Sequence, residues 1–80
     1  MSKTEAFAAI TQALEATLGQ VVPITPETDL VEEDIVDSLD AMSFLLELET
    51  ITGKSFPEDG DLVEEGYYRV PFLIEYLQAA

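Results

Sequence analysis

Cysteine, histidine and tryptophan are absent from the 80 residues, so the chemistry-bearing side chains reduce to hydroxyls, carboxylates and three cations. Zinc sites, disulfide frameworks, Cys/His nucleophile pairs and imidazole acid–base catalysis are thereby excluded. The richest stretch is Asp34-Ile35-Val36-Asp37-Ser38-Leu39-Asp40-Ala41-Met42, with Ser38 at the expected start of a helix and carboxylates at 37 and 40. Two readings fit it. A serine in that place caps a helix by accepting a backbone N–H. If Asp37 supplies the cap instead, Ser38 is left free in the first turn, where unpaired N–H groups and the positive dipole end tolerate a phosphate. Self-sufficient catalysis is not expected, because Ser38 lacks a Gly-x-Ser-x-Gly elbow, no histidine can act as base, and Lys3 and Lys54 stand at no recognisable spacing. A calcium loop of the EF-hand type fails as well. Placing Gly60 at its sixth position puts Pro57 at the third and Gly66 at the twelfth, where oxygen ligands are required. No metal site is expected.

The elements that must position this stretch are helical. Phe7, Ile10, Leu14 and Leu18 recur every three or four residues and share one helix face, widened by Ala6, Ala9 and Ala13. Ser2 and Glu5 read as a capping box and Gly19 as the stop. Residues 20–36 hold Pro23 and Pro26, and Thr25-Pro26-Glu27 resembles a turn or a single helical turn capped by Thr25. Seventeen residues are long for a connection. Val21, Val22, Ile24, Leu30, Val31, Ile35 and Val36 are too apolar for a free linker, so the loop is expected to be anchored on the core. The second helix runs from Asp37-Ser38 to Ile51 or Thr52, its apolar arc broad enough for burial on two sides or for an exposed apolar strip beside a buried one. Gly53 and Lys54 fit its end. After Pro57-Glu58-Asp59-Gly60, residues 61–65 leave room for about one helical turn before Gly66. Pro71 then opens a last helix, with Phe72, Leu73, Tyr76 and Leu77 inward. The expected fold is all-α, three main helices plus one short one, in a single domain over 1–80. Phe44, Leu45, Leu48, Ile51, Tyr67, Tyr68 and Phe72 are its expected core.

Seventeen acids against three bases give a net charge of −14. The middle of the chain carries nearly all of it: between 27 and 65, fourteen acids face Lys54 alone. Such a surface repels phosphate backbones and anionic membranes and favours a basic protein partner. No run approaches the ~20 apolar residues of a membrane span, and the first residues show no targeting leader. A soluble cytoplasmic monomer is the expectation.

Asp37-Ser38-Leu39 opening an amphipathic helix after a long loop, in an acidic chain of this length and layout, resembles the attachment site of acyl and peptidyl carrier proteins. The resemblance covers almost the whole chain. It implies a right-handed carrier bundle without enzymatic activity, whose serine bears 4′-phosphopantetheine as a phosphodiester and whose cargo rides as a thioester on the terminal thiol. It identifies Ser38 as the modified residue and Asp37 as an acid helping to position magnesium during transfer. Leu39, Asp40, Leu46 and Glu49 match positions that family members present to partner enzymes. Residues 39, 42, 46 and 49 do share a helical stripe, with Asp40 beside it. A solvated acidic face with Leu39 and Leu46 in the core is the alternative. The implied partners are a phosphopantetheinyl transferase and acyl or aminoacyl ligases or transferases with basic patches, serving lipid, cell-envelope or secondary-metabolite biosynthesis. Ile35 stands where many fatty-acid carriers have glycine, and Ser43 where they often have an acid. Asp34 occupies the glycine position of aminoacyl carriers and tolerates left-handed geometry. Together with Tyr68-Arg69-Val70, these residues make the chain more similar to aminoacyl, D-alanyl-type or specialised acyl carriers. Part of the core could border a cavity for an acyl chain. An unmodified acidic domain docking a basic partner is the competing reading.

Overall fold

The computed structural model describes residues 1–57 and 61–79. The expected turn through Glu58, Asp59 and Gly60 lies outside the described residues. Four helices follow in order: α1 (Lys3–Leu18), α2 (Ser38–Thr52), α3 (Leu62–Glu65) and α4 (Val70–Gln78). Among the described residues there is no strand, only an isolated antiparallel bridge between Asp29 and Arg69.

α1 begins where the capping box places it. The Glu5 N–H donates to the Ser2 hydroxyl (3.1 Å) and the Ser2 N–H to the Glu5 carboxylate (3.0 Å). The Ser2 N–H, and then the Ser2 hydroxyl, beside the Glu5 carboxyl hold it below its ordinary pKa. Gly19 ends the helix at φ 74°. The buried face of α1 is centred on Ala6, Ala9, Ile10, Ala13 and Leu14, with Phe7 and Leu18 at its edges. The alanines lie inside because small side chains let α1 approach both α2 and α4, against which it packs. Ile10, Leu14, Leu30, Phe44, Leu48, Val70, Leu73 and Leu77 are fully buried, each worth roughly 1.5–3 kcal/mol of apolar transfer.

The long loop is tied down twice. Thr25 to Thr28 form a turn, with the Thr28 N–H on the Thr25 carbonyl (3.1 Å) and the Thr25 N–H on the buried Thr28 hydroxyl (2.8 Å). Leu30 then enters the core. Its N–H donates to the Tyr68 carbonyl (2.8 Å), and its own carbonyl accepts from both Ile35 and Val36 (2.9 and 3.1 Å), which folds the chain back toward α2. Asp34 makes that reversal at φ 57°. Leu30 and Val36 are the buried anchors, Ile24, Val31 and Ile35 pack partly against them, and Val21 is exposed, contrary to expectation. Among the described residues, none covers Val21.

The last helix departs from the sequence reading in two ways. Val70 rather than Pro71 is its first residue, because the Val70 N–H has a partner in the Thr28 carbonyl (2.9 Å). Its buried face is Val70, Leu73, Ile74 and Leu77, while Phe72 and Tyr76 are only partly buried. Those two join Phe56 and Tyr67 in a lateral aromatic cluster: Phe56 stacks on Tyr76 at 4.9 Å and Tyr67 meets Phe72 edge-on at 4.9 Å. Ile51 and Tyr67, expected in the core, likewise border it.

Candidate functional site

The start of α2 separates two roles that the sequence leaves open. Asp37, extended at φ −93°, is the cap: its Oδ1 accepts the N–H groups of Leu39 (3.0 Å) and Asp40 (2.8 Å). A carboxylate there also faces the positive dipole end, which favours it over a hydroxyl. Ser38 is consequently the first helical residue, exposed, and no described residue hydrogen-bonds its side chain. The reading of Ser38 as the cap is overturned.

Along α2, Ala41, Phe44, Leu45 and Leu48 are buried, whereas Leu39 is 78% and Leu46 62% exposed, with Met42 exposed between them. Leu39 and Leu46 are therefore not core residues. They form an apolar strip that α3 extends through exposed Val63. Asp40 is half-buried beside it. Glu49, at the far end, is also half-buried and engaged, since its Oε1 accepts the Phe56 N–H (3.0 Å) and so holds the chain leaving α2.

Two adjoining cavities separate α2 from α3. One, of about 230 Å³, is lined by Met42, Leu45, Leu46, Glu49, Phe56, Pro57, Leu62 and Tyr68. The other, of about 510 Å³, is lined by Ser38, Ala41, Met42, Asp61, Leu62, Val63 and Tyr68. Met42, Leu62 and Tyr68 wall both, so one apolar groove runs from Ser38 to Phe56. Of the expected core residues only Leu45 and Tyr68 border it; Phe44 and Leu48 lie in the closed interior. Phe56 and Leu62 are lining residues that spacing alone did not single out, because their place depends on where α3 lands. Burial pushes the Tyr68 phenol above its ordinary pKa. Among the described residues, no group of three or more acidic side chains is arranged to hold a metal ion, and no helix is long and apolar enough to cross a membrane.

The described residues thus combine an all-helical fold, a serine freed at a helix start and an apolar groove leading away from it. A sequence model described as the phosphopantetheine attachment site matches residues 8–66, from within α1 to the glycine that ends α3. The chain belongs to this family, the acyl-carrier-type phosphopantetheine-binding domains. Such domains are non-catalytic and hold 4′-phosphopantetheine covalently on a serine. They work with phosphopantetheinyl transferases and acyl-processing enzymes. Searches of curated proteins and of solved structures return no match to the chain.

Proposed function

We propose that Ser38 is the attachment serine and that the whole chain acts as one cytoplasmic carrier unit. Its cargo would be an acyl or aminoacyl thioester, delivered to enzymes of lipid, cell-envelope or secondary-metabolite biosynthesis. The observation that carries the assignment is the division of labour at the start of α2, where Asp37 caps and Ser38 keeps its hydroxyl free. Two other serines fall in the matched segment. Ser43 lies beyond the first turn of α2, away from the helix N-terminus, and Ser55 lies outside any helix. Of the three serines, only Ser38 stands at a helix start, where the positive dipole end favours a phosphodiester.

Once attached, the prosthetic arm supplies the thiol that this chain lacks. During attachment the Ser38 Oγ bonds to phosphorus, the pyrophosphate link of coenzyme A breaks with departure of the nucleotide, and the hydroxyl proton passes to the transferase. The Asp37 Oδ2, left over from the cap, is the oxygen available to a magnesium ion in that encounter. Leu39 and Leu46 would meet an apolar patch on partner enzymes, with Asp40 and Glu49 as acidic neighbours steering a basic rim into register. The aliphatic part of the groove lining suits an acyl chain.

The test is intact mass after incubating the apo protein with a phosphopantetheinyl transferase and coenzyme A. Wild type and Ser43→Ala should each gain one arm, and Ser38→Ala none. Undiminished modification of Ser38→Ala would overturn the assignment, and a wild type inert to several transferases would overturn the carrier function of this chain.

A further inference from the structure

Tyr68 is 4% exposed, yet it walls both cavities between α2 and α3. No described residue hydrogen-bonds its hydroxyl, whereas the Tyr76 hydroxyl in the neighbouring aromatic cluster donates to the Ser55 carbonyl. Among the described residues no fully buried side-chain oxygen lacks a partner, so the Tyr68 hydroxyl is not sealed from water and stays free to donate. The residue is also held in place. Its carbonyl accepts the Leu30 N–H (2.8 Å), and two residues on, the Val70 N–H donates to the Thr28 carbonyl (2.9 Å). Its side chain is thus presented to the groove from a fixed backbone.

The other polar groups of the groove narrow the chemistry. The Asp61 Oδ1 caps α3 through the Glu64 N–H (3.1 Å), and the Glu49 Oε1 holds the Phe56 N–H (3.0 Å). Both are anionic acceptors and cannot donate to a neutral oxygen. Met42, Leu45, Leu46 and Leu62 offer no donor at all. Apart from Ser38 itself, Tyr68 is the side-chain donor that the described lining provides, and burial keeps it protonated well past neutral pH.

We propose that the Tyr68 hydroxyl donates a hydrogen bond to a carbonyl of the group attached at Ser38, holding that group along the α2–α3 groove. This rests on Ser38 being the attachment serine. Tyr68 acts here as a positioning residue that orients the arm. The acceptor is a carbonyl, either an amide of the arm or the thioester of its cargo, and both reach the groove from the same end.

The experiment uses isotope-labelled apo, holo and octanoyl-loaded protein, as wild type and as Tyr68→Phe, with intact mass establishing the loading of each sample. In the wild type, loading should shift the amide resonances of Met42, Leu62 and Tyr68 and produce nuclear Overhauser contacts between the Tyr68 ring and the arm. In Tyr68→Phe, which keeps the ring, those contacts should weaken several-fold at equal loading. Contacts present in the holo form place the acceptor on an arm amide; contacts that appear only with octanoyl place it on the thioester. The wild type alone gives a second readout, because donation to a neutral carbonyl stabilises the protonated phenol and raises the Tyr68 pKa from apo to loaded protein. Equal contacts in wild type and Tyr68→Phe, or an unmoved Tyr68 titration in both loaded forms, would overturn the proposal. Absence of any added mass on Ser38 would instead defeat the attachment assignment and take this proposal with it.

Discussion

Asp34 carries a left-handed backbone, φ 57°, at the point where the long loop turns back to deliver Asp37 and Ser38 to the start of α2. The two amide groups after it that close the reversal, those of Ile35 and Val36, both end on the Leu30 carbonyl, so the conformation is imposed by the buried anchor rather than by local preference. Aspartate is among the few residues that tolerate it, and a β-branched side chain is not. Asp34→Gly should therefore unfold in urea within about 0.5 kcal/mol of wild type, while Asp34→Val should lose about 1–2 kcal/mol. A valine variant as stable as wild type would show the loop free to relax. The tolerance was legible in the sequence, since aspartate stands there in a segment that must turn. The anchor imposing it was legible only as an apolar residue among seven in the loop.

At the scale of elements, the long loop and the α3–α4 connection are joined by the Asp29–Arg69 bridge, where backbone pairing is reinforced by an Arg69 Nε to Asp29 Oδ2 ion pair at 3.4 Å. The two partners do not matter equally. Arg69 is largely exposed, and such a pair is worth roughly 0–1 kcal/mol. Asp29 also accepts the N–H groups of Val31 (3.1 Å) and Glu32 (3.0 Å) through Oδ1, and its own N–H is held by Glu33 (3.0 Å). Arg69→Ala should cost under about 1 kcal/mol and Asp29→Ala about 1–3 kcal/mol, measured by urea unfolding. Equal losses would mean that the ion pair, not the loop's amide groups, dominates. Helix ends written in caps were readable from spacing: Ser2 with Glu5, Gly19, Gly53 and Gly66 all terminate helices as expected. The inner face of α4 was not. Phe72 and Tyr76 satisfy a helical period, yet Phe56 and Tyr67 draw them sideways into stacking, and Ile74 takes the inward place. The groove was hidden for the same reason, because α3 is one turn long and nothing in its own residues states that it lies beside α2.

Across the whole molecule, −13 of the −14 charges belong to residues 27–65. The three bases do little for them: Arg69 faces Asp29, the Lys54 ammonium lies 3.4 Å from the Ala79 carbonyl, and Lys3 lies in the first turn of α1. The body measures 29 × 27 × 22 Å. At about 0.01 M salt the Debye length is ~30 Å, so every acid feels every other; at about 0.1 M it is ~10 Å and only neighbours interact. The thermal midpoint should thus climb between those two conditions and further with magnesium. A midpoint indifferent to both would remove self-repulsion as a term in the stability of this fold.

The carboxylate that caps α2 has one more consequence. Since Asp37 carries the bonds that the helix start depends on, a group attached at Ser38, as proposed, would displace none of them. Any coupling between folding and loading must then come from contacts of the attached group itself and not from the cap, and such coupling is reciprocal. On the proposed assignment, the start of α2 keeps its cap when the chain is emptied, and the same molecule can be charged again without that end being remade.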